Sequence, residues 1–529
     1  MNKNPAFSIM DVLDRSTMLS IIIISFMISI LSLVVPVAAQ ILVNLIAFGK
    51  LLQPVITLSL TVLILMIGVG ALSVWQIVII EIIQQKLMVK ISLNLAKRFT
   101  NLSLETFSTH HGPELVNRFF EIVTIKKSLA SLLLYGINLG LQMFFGLILL
   151  LFYHPLFLAF DCFILLGVSL IIFIPYKKGL ESAKDECTEK HAIGAWLEEI
   201  LINRYLFKFN SYQNYVVKQV DKKLVSFLKA RNNHFKQLVK HQVGFYSLSA
   251  LAGSLLLGLG GYLVINNQLS LGQLVASEIV LGALLYAFKR FGALLENFYD
   301  LKASAEKLEK VLTLPLENTA PEFDARLLSP LQLIEFQIPS VEKATLSYGN
   351  PLLVFSEKTE QLQKLVEELL GLSDSLDVLI TINNIPYNRK NLIALREHTS
   401  LIGEPQWFAG SIYDNLVLNH RNVDSHAIFE QLKQFNLIDK IAELPDGLQT
   451  KIYEWQTVFT PLELTKLMII RAIITKSRLI VLDRVLDPFN GHELDSILSL
   501  ILSLEETLLL ITTQRPHFNE LSNYLVLPS

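Results

Sequence analysis

The chain has 529 residues, of which 52 % are apolar types and only 17 % are charged, and its mean hydropathy is +0.47. A soluble domain carries about 25 % charged residues, so neither a single soluble globule nor a disordered chain fits this composition. The 45 basic and 47 acidic residues nearly cancel, to a formal net charge of −2, which gives no basic footprint for nucleic acid. Two cysteines, Cys162 and Cys187, exclude a disulfide framework.

Apolar stretches of the roughly 20 residues needed to cross a bilayer occur at about 17–40, 55–82, 129–152, 156–175, 243–265 and 272–292. The first, Ser20–Ala39 at its heart, is too long for a signal-peptide core and is read as an uncleaved span with a kink at Pro36. The connections after the first, third and fifth spans are short and hold only Lys50. The other two, Gln84–Lys127 and Lys177–Lys240, are long and rich in Lys and Arg. Positive charge stays on the cytoplasmic side, so both long loops and both termini are expected there. Leu87–Phe99 and Glu199–Ala230 keep apolar residues at three-to-four spacing. These segments are helical continuations of the spans, reaching about 30 Å beyond the membrane for about 20 extra residues. Asp161 and Glu278 are the deepest ionisable residues. Each lies within a turn or two of an outer span edge, where a protonated or water-facing carboxyl is expected.

Residues 314–332 hold three prolines and no period, and read as a linker between a membrane domain (1–313) and a soluble domain (333–529). In the latter, strands are expected at Leu333–Ile338, Leu352–Ser356, Val378–Asn383, Thr399–Gly403, Arg478–Asp483, Thr507–Thr513 and Tyr524–Leu527. Helices are expected at Glu357–Leu370, Val423–Gln434, Leu462–Ile474 and Gly491–Leu502. This alternation implies an α/β domain with a largely parallel sheet.

Several stretches together carry a family resemblance: Asn266–Ala276, Leu395–Leu416, Leu444–Trp455 and Arg471–Asp483. With the six spans and two long hairpins, they make the chain resemble an ABC exporter half-transporter. The resemblance implies a fold: an α-helical polytopic membrane domain with long cytoplasmic helical hairpins, joined to an α/β nucleotide-binding-like domain. It also implies residence in the bacterial cytoplasmic membrane and dimerisation, with a second copy or with another half-transporter, for a substrate the sequence does not name. Family members use ATP and Mg²⁺, each ATP lying between the Walker A of one domain and the signature of the other.

The catalytic motifs depart from that pattern. Along the segment matching Walker A, the glycines become Ser356, Thr359 and Gln361, the lysine becomes Leu362, and the Mg²⁺ hydroxyl becomes Gln363. Without glycines the loop cannot wrap phosphates. Lys358 is a poor substitute for the lysine, and Glu357 and Glu360, with Ser356 as N-cap, are expected to satisfy the helix start internally. The Q-loop glutamine falls at Gly403, with Gln406 three positions on. The signature falls on Phe459–Glu463, where Thr460 keeps a hydroxyl, Pro461 removes an N–H, Leu462 adds bulk and Glu463 adds negative charge. Asp483 keeps the Walker B aspartate, the general-base position is Arg484, and Asp487 retains the D-loop aspartate. An arginine cannot accept a proton. The switch histidine is missing from Ile511–Arg515, and His517 beyond Pro516 reads as a surface residue. No bound nucleotide, no metal and no ATPase activity are therefore expected. Two roles follow: an ATPase-deficient transport subunit, or a non-transporting membrane scaffold that keeps the fold for protein contacts. Trp407 and Phe408 read either as docking anchors for hairpins near Ser108–Leu115 and Lys208–Tyr215, or as core aromatics.

Overall fold

The computed structural model describes residues 14–48, 52–103, 106, 112–209, 212–317, 331–337, 343–372, 379–386, 392–418, 420, 423–489, 491–504, 506–515 and 523–527. Two compact units divide the chain, Met1–Leu316 and Glu317–Ser529.

Among the described residues, six helices of the first unit are long and apolar enough to cross a membrane: Arg15–Ala47, Leu52–Phe99, Glu114–Tyr153, Phe157–Ile202, Gln213–Ile265 and Leu271–Leu312. Each contains one of the expected apolar stretches, and the second, fourth, fifth and sixth run far past it. The first is interrupted at Leu33, between helices Arg15–Ser32 and Val34–Phe48. The cause is Pro36, which has no N–H to donate to the carbonyl of Ser32 and whose ring crowds it. Along the fifth helix, His241, Phe245, Leu248, Ala252, Leu256 and Leu263 are buried. Their spacing places one stripe against the fourth and sixth helices. On the second helix Leu60, Leu63, Ile64 and Ile67 remain exposed. An apolar face of that extent marks a surface that meets lipid or another protein chain. Asp161 is buried, and its Oδ1 has no hydrogen-bond partner among the described residues.

In the second unit, β1 (Leu333–Gln337), β2 (Ala344–Ser347), β4 (Leu379–Ile382) and β5 (Ile385–Pro386) form an antiparallel sheet in the order β2-β1-β4-β5. A separate parallel sheet of β3 (Leu352–Phe355), β6 (Thr399–Ile402), β9 (Leu479–Asp483), β10 (Leu508–Thr513) and β11 (Tyr524–Val526) has the order β11-β3-β10-β9-β6. The two-residue strands β7 (Gly410–Ser411) and β8 (Lys451–Ile452) pair with each other. The expected single sheet is thus two. β1 and β4, read from sequence beside the parallel strands, belong to the antiparallel one.

The parallel sheet is covered on both faces. Leu352, Val354, Leu479, Val481, Leu508 and Leu510 point into a core shared with helix Thr359–Leu369. Leu353, Ile480, Leu482, Leu509 and Ile511 point the other way, into a core shared with helix Pro461–Ile474. Strands buried on both faces read as continuous apolar runs, which is why these were visible in sequence. Of the expected linker, Leu314 accepts a hydrogen bond from Arg98 (3.1 Å) and Leu316 bridges to Leu102. Glu317 pairs with Arg396, and 318–330 lie outside the described residues.

Candidate functional site

The sheet brings the C-terminal ends of β3, β9 and β10 side by side, the edge at which open parallel sheets carry their sites. Ser356 follows β3, Asp483 closes β9, and Thr512 and Thr513 close β10.

After β3 the chain turns tightly into helix Thr359–Leu369. The N-cap of this helix is Lys358, in extended backbone and without a capping side chain. Ser356, expected there, sits two residues earlier. Its buried hydroxyl accepts from the Lys358 N–H (3.1 Å) and donates to Gln361 Oε1 (2.6 Å), while its own N–H donates to Thr513 O (3.3 Å). Glu357, Lys358 and Glu360 are exposed. Gln514 closes the turn from outside, donating from Nε2 to Glu357 O (3.2 Å) and to Thr359 Oγ1 (2.8 Å). Leu362 is fully buried in the core beneath the sheet, and Gln363 is exposed, donating to Glu367 Oε1 (2.8 Å).

Asp483 is gripped by its neighbour. Arg484 Nε donates to Asp483 Oδ1 (3.1 Å) and Nη2 to Oδ2 (3.0 Å), a two-pronged, charge-assisted contact. Thr512 Oγ1 adds a 2.7 Å bond to Oδ1. Hydrogen bonding to Asp483, opposed by burial, holds the guanidinium above its ordinary value. Arg484 reaches this position by adopting φ +59°, a region costly for a side-chain-bearing residue. Its N–H is anchored on Thr512 O and Oγ1, both at 3.1 Å. Gly403 lies alongside: a Cβ there would be 4.0 Å from that of Asp483. Gln406 is exposed. Asp487 accepts from the Thr513 hydroxyl and from the Gln514 N–H (3.1 Å). Among the described Ile511–Arg515 residues none is a histidine, and His517 lies outside the described residues.

The segment matching the signature is a helix start. Thr460 is the N-cap of Pro461–Ile474, with proline in the first turn. Its hydroxyl accepts from the Glu463 N–H (3.3 Å), and the Glu463 carboxylate accepts from the Thr460 N–H (2.7 Å). That is a complete capping box. Lys440 Nζ adds a 2.6 Å bond to the same carboxylate oxygen. Burial pushes the Glu463 carboxyl up, and the bonds from Lys440 and Thr460 outweigh it, leaving it below the ordinary carboxylate value. Glu463 therefore turns back onto its own helix, and Leu462 packs partly buried against the core.

Trp407 packs, partly buried, against the core, stacked on Trp455 at 4.6 Å and covered by the Arg471 guanidinium at 5.1 Å. Phe408 is exposed, while its backbone oxygen accepts from Trp455 Nε1 (3.0 Å). Gln514, Thr512 and Lys440 were not legible as participants. The threonines and Gln514 are signalled only by polar residues ending an apolar strand, and Lys440 reaches Glu463 across 23 positions.

The ABC transporter transmembrane region family matches residues 18–288. The chain is 22 % identical over 526 residues to the lactococcin-A transport/processing ATP-binding protein LcnC of Lactococcus lactis subsp. lactis, covering 94 % of this chain and 71 % of that one. It is also 22 % identical over 501 residues to the alpha-hemolysin translocation ATP-binding protein HlyB of Escherichia coli O157:H7, covering 89 % and 68 %. A bacterial Atm1-family ABC exporter with ATP bound superposes with a TM-score of 0.81 at 14 % identity, over 97 % of this chain and 93 % of that chain. The matched transmembrane region, the six long apolar helices and the following α/β unit together show that this integral membrane protein belongs to the ABC transporter family and has the architecture of an exporter half-transporter.

Proposed function

We propose that the chain is an exporter-type transport subunit whose own cassette-like unit neither hydrolyses ATP nor completes a hydrolysing site with a partner. The observation that carries this reading is the two-pronged contact of Arg484 on Asp483. The carboxylate that would face Mg²⁺ has a protein cation on both oxygens, and the residue at the general-base position is that cation. Magnesium requires several oxygen ligands in near-octahedral array. The donors present, an engaged carboxylate and an outward-facing Gln363, do not fit it. The turn at 356–359 is filled by its own hydrogen bonds. The helix start at Thr460 is capped from within, so its first N–H groups are already partly answered.

In this reading the protein lies in a bacterial cytoplasmic membrane as a dimer, with itself or with another half-transporter. Its termini and polar hairpins face the cytoplasm, as the Lys- and Arg-rich loops suggest. Purified protein in lipid, alone and with a co-encoded half-transporter, is expected to show no Mg²⁺-dependent ATPase. Activity that disappears on Asp483→Asn would sink the proposal.

A further inference from the structure

The membrane unit contains a cluster outside everything described above. Glu121, Cys187 and His191 each bring one donor atom to within 4.8 Å of the other two. Cys187 and His191 are four apart on the helix Tyr176–Ile202 and so share one face. Glu121 opens the helix Glu121–Ser131 that faces them. The carboxylate and the thiol are buried, with 2 % and 7 % exposure.

We propose that these three side chains form a binding site for a borderline-soft divalent cation of the zinc type. The ligand chemistry selects the metal. Thiolate and imidazole favour zinc-like ions over Mg²⁺ or Ca²⁺, and three protein ligands leave a fourth tetrahedral position for water. The cluster lies beyond the apolar stretches. Cys187 is 12 residues past the fourth stretch, about 18 Å of helix, so the ion need not enter hydrocarbon. Access is present as well: His191 lines a cavity of about 380 Å³ with Glu114, Arg118, Glu199, Lys223 and Lys307.

Without metal, Glu121 is held by protein donors. Lys190 Nζ donates to Oε1 at 2.7 Å, His191 Nε2 donates to the same oxygen at 2.8 Å, and the Ser304 hydroxyl donates to Oε2. Lys190 acts as the resident cation. Its side chain is half-exposed (51 %), so it can swing into water when a metal takes its place. Binding moves the proton of Cys187 to solvent as the sulfur–metal bond forms. The imidazole coordinates as the neutral tautomer, with its proton on the other ring nitrogen.

The test uses the full chain in detergent with Co²⁺ as a spectroscopic probe. One equivalent per chain should produce thiolate-to-cobalt charge-transfer absorption and tetrahedral d–d bands, both abolished by added Zn²⁺. Cys187→Ser should remove the charge-transfer band and Cys162→Ser should leave it. His191→Gln should weaken binding by about 10-fold or more, and Lys190→Met, which removes the competing cation, should strengthen it by about 10-fold. Protection of Cys187 from alkylation by Zn²⁺ in the unmutated chain gives a readout that depends on no variant. A reduced, folded chain that gives no thiolate–cobalt band, or a band that survives Cys187→Ser, would overturn the site.

Discussion

Arg484 does two things that a substitution can separate: it neutralises Asp483, and it tolerates a left-handed backbone to do so. Arg484→Ala loses the contact and keeps the strain, so the cassette-like unit should lose about 1–2 kcal/mol. Arg484→Gly loses the same contact but relieves the backbone, and should be the more stable variant by roughly 1 kcal/mol. For a unit of this size that is a difference of about 2–4 °C in melting midpoint, and equal midpoints would contradict the strain. Leu362 makes a similar point about reconstruction. Its side chain is fully buried, so Leu362→Lys, the apparent step back towards a phosphate-binding loop, places an unpaired ammonium in the core. It should cost about 2–5 kcal/mol and restore no nucleotide binding, as read by melting and by a fluorescent ATP analogue.

At the scale of elements, the helix Pro461–Ile474 depends on its reciprocal cap. Thr460→Ala should lower stability by about 1 kcal/mol. The Glu463 carboxyl is held below its unfolded value of about 4.3. The stability it contributes is therefore complete above that value and is lost as pH falls through the folded one. Melting of the unmutated chain should show an acid-side decline that Glu463→Gln flattens, and identical acid limbs would refute the role. The parallel strands and the four main helices were legible because their apolar runs and periods are set locally. β2 was not: Ala344–Ser347 is four residues running into a Tyr-Gly-Asn turn, and only its antiparallel pairing with β1 makes it a strand. The site was legible as a set of positions, since Asp483, Arg484 and Thr460 stand where strand and helix ends put them. How those positions are filled was legible only in part. Lys440 reaches Glu463 across 23 positions and Gln514 closes the turn after β3 across 155 and 157, so neither contact is written locally. The Thr460–Glu463 box and the bonds of Ser356 to Lys358 and Gln361 are local, and their signal is the three-residue Thr-to-Glu spacing and the polar run after β3.

For the molecule as a whole, the proposed orientation has a direct test. Lys229 is exposed on the fifth helix, well before its apolar stretch. In a background lacking Cys162 and Cys187, Lys229→Cys should react with a membrane-impermeant maleimide in inside-out vesicles and stay unlabelled in intact cells. The reverse pattern would invert the topology. The fifth helix itself, Gln213–Ile265, runs 53 residues without interruption, a rod of about 80 Å. Turning such a rod by one degree about one end carries the other end through about 1.4 Å, a figure that follows from its length. The helix is a lever: a slight tilt imposed at its polar end becomes a displacement of atomic size at its apolar end.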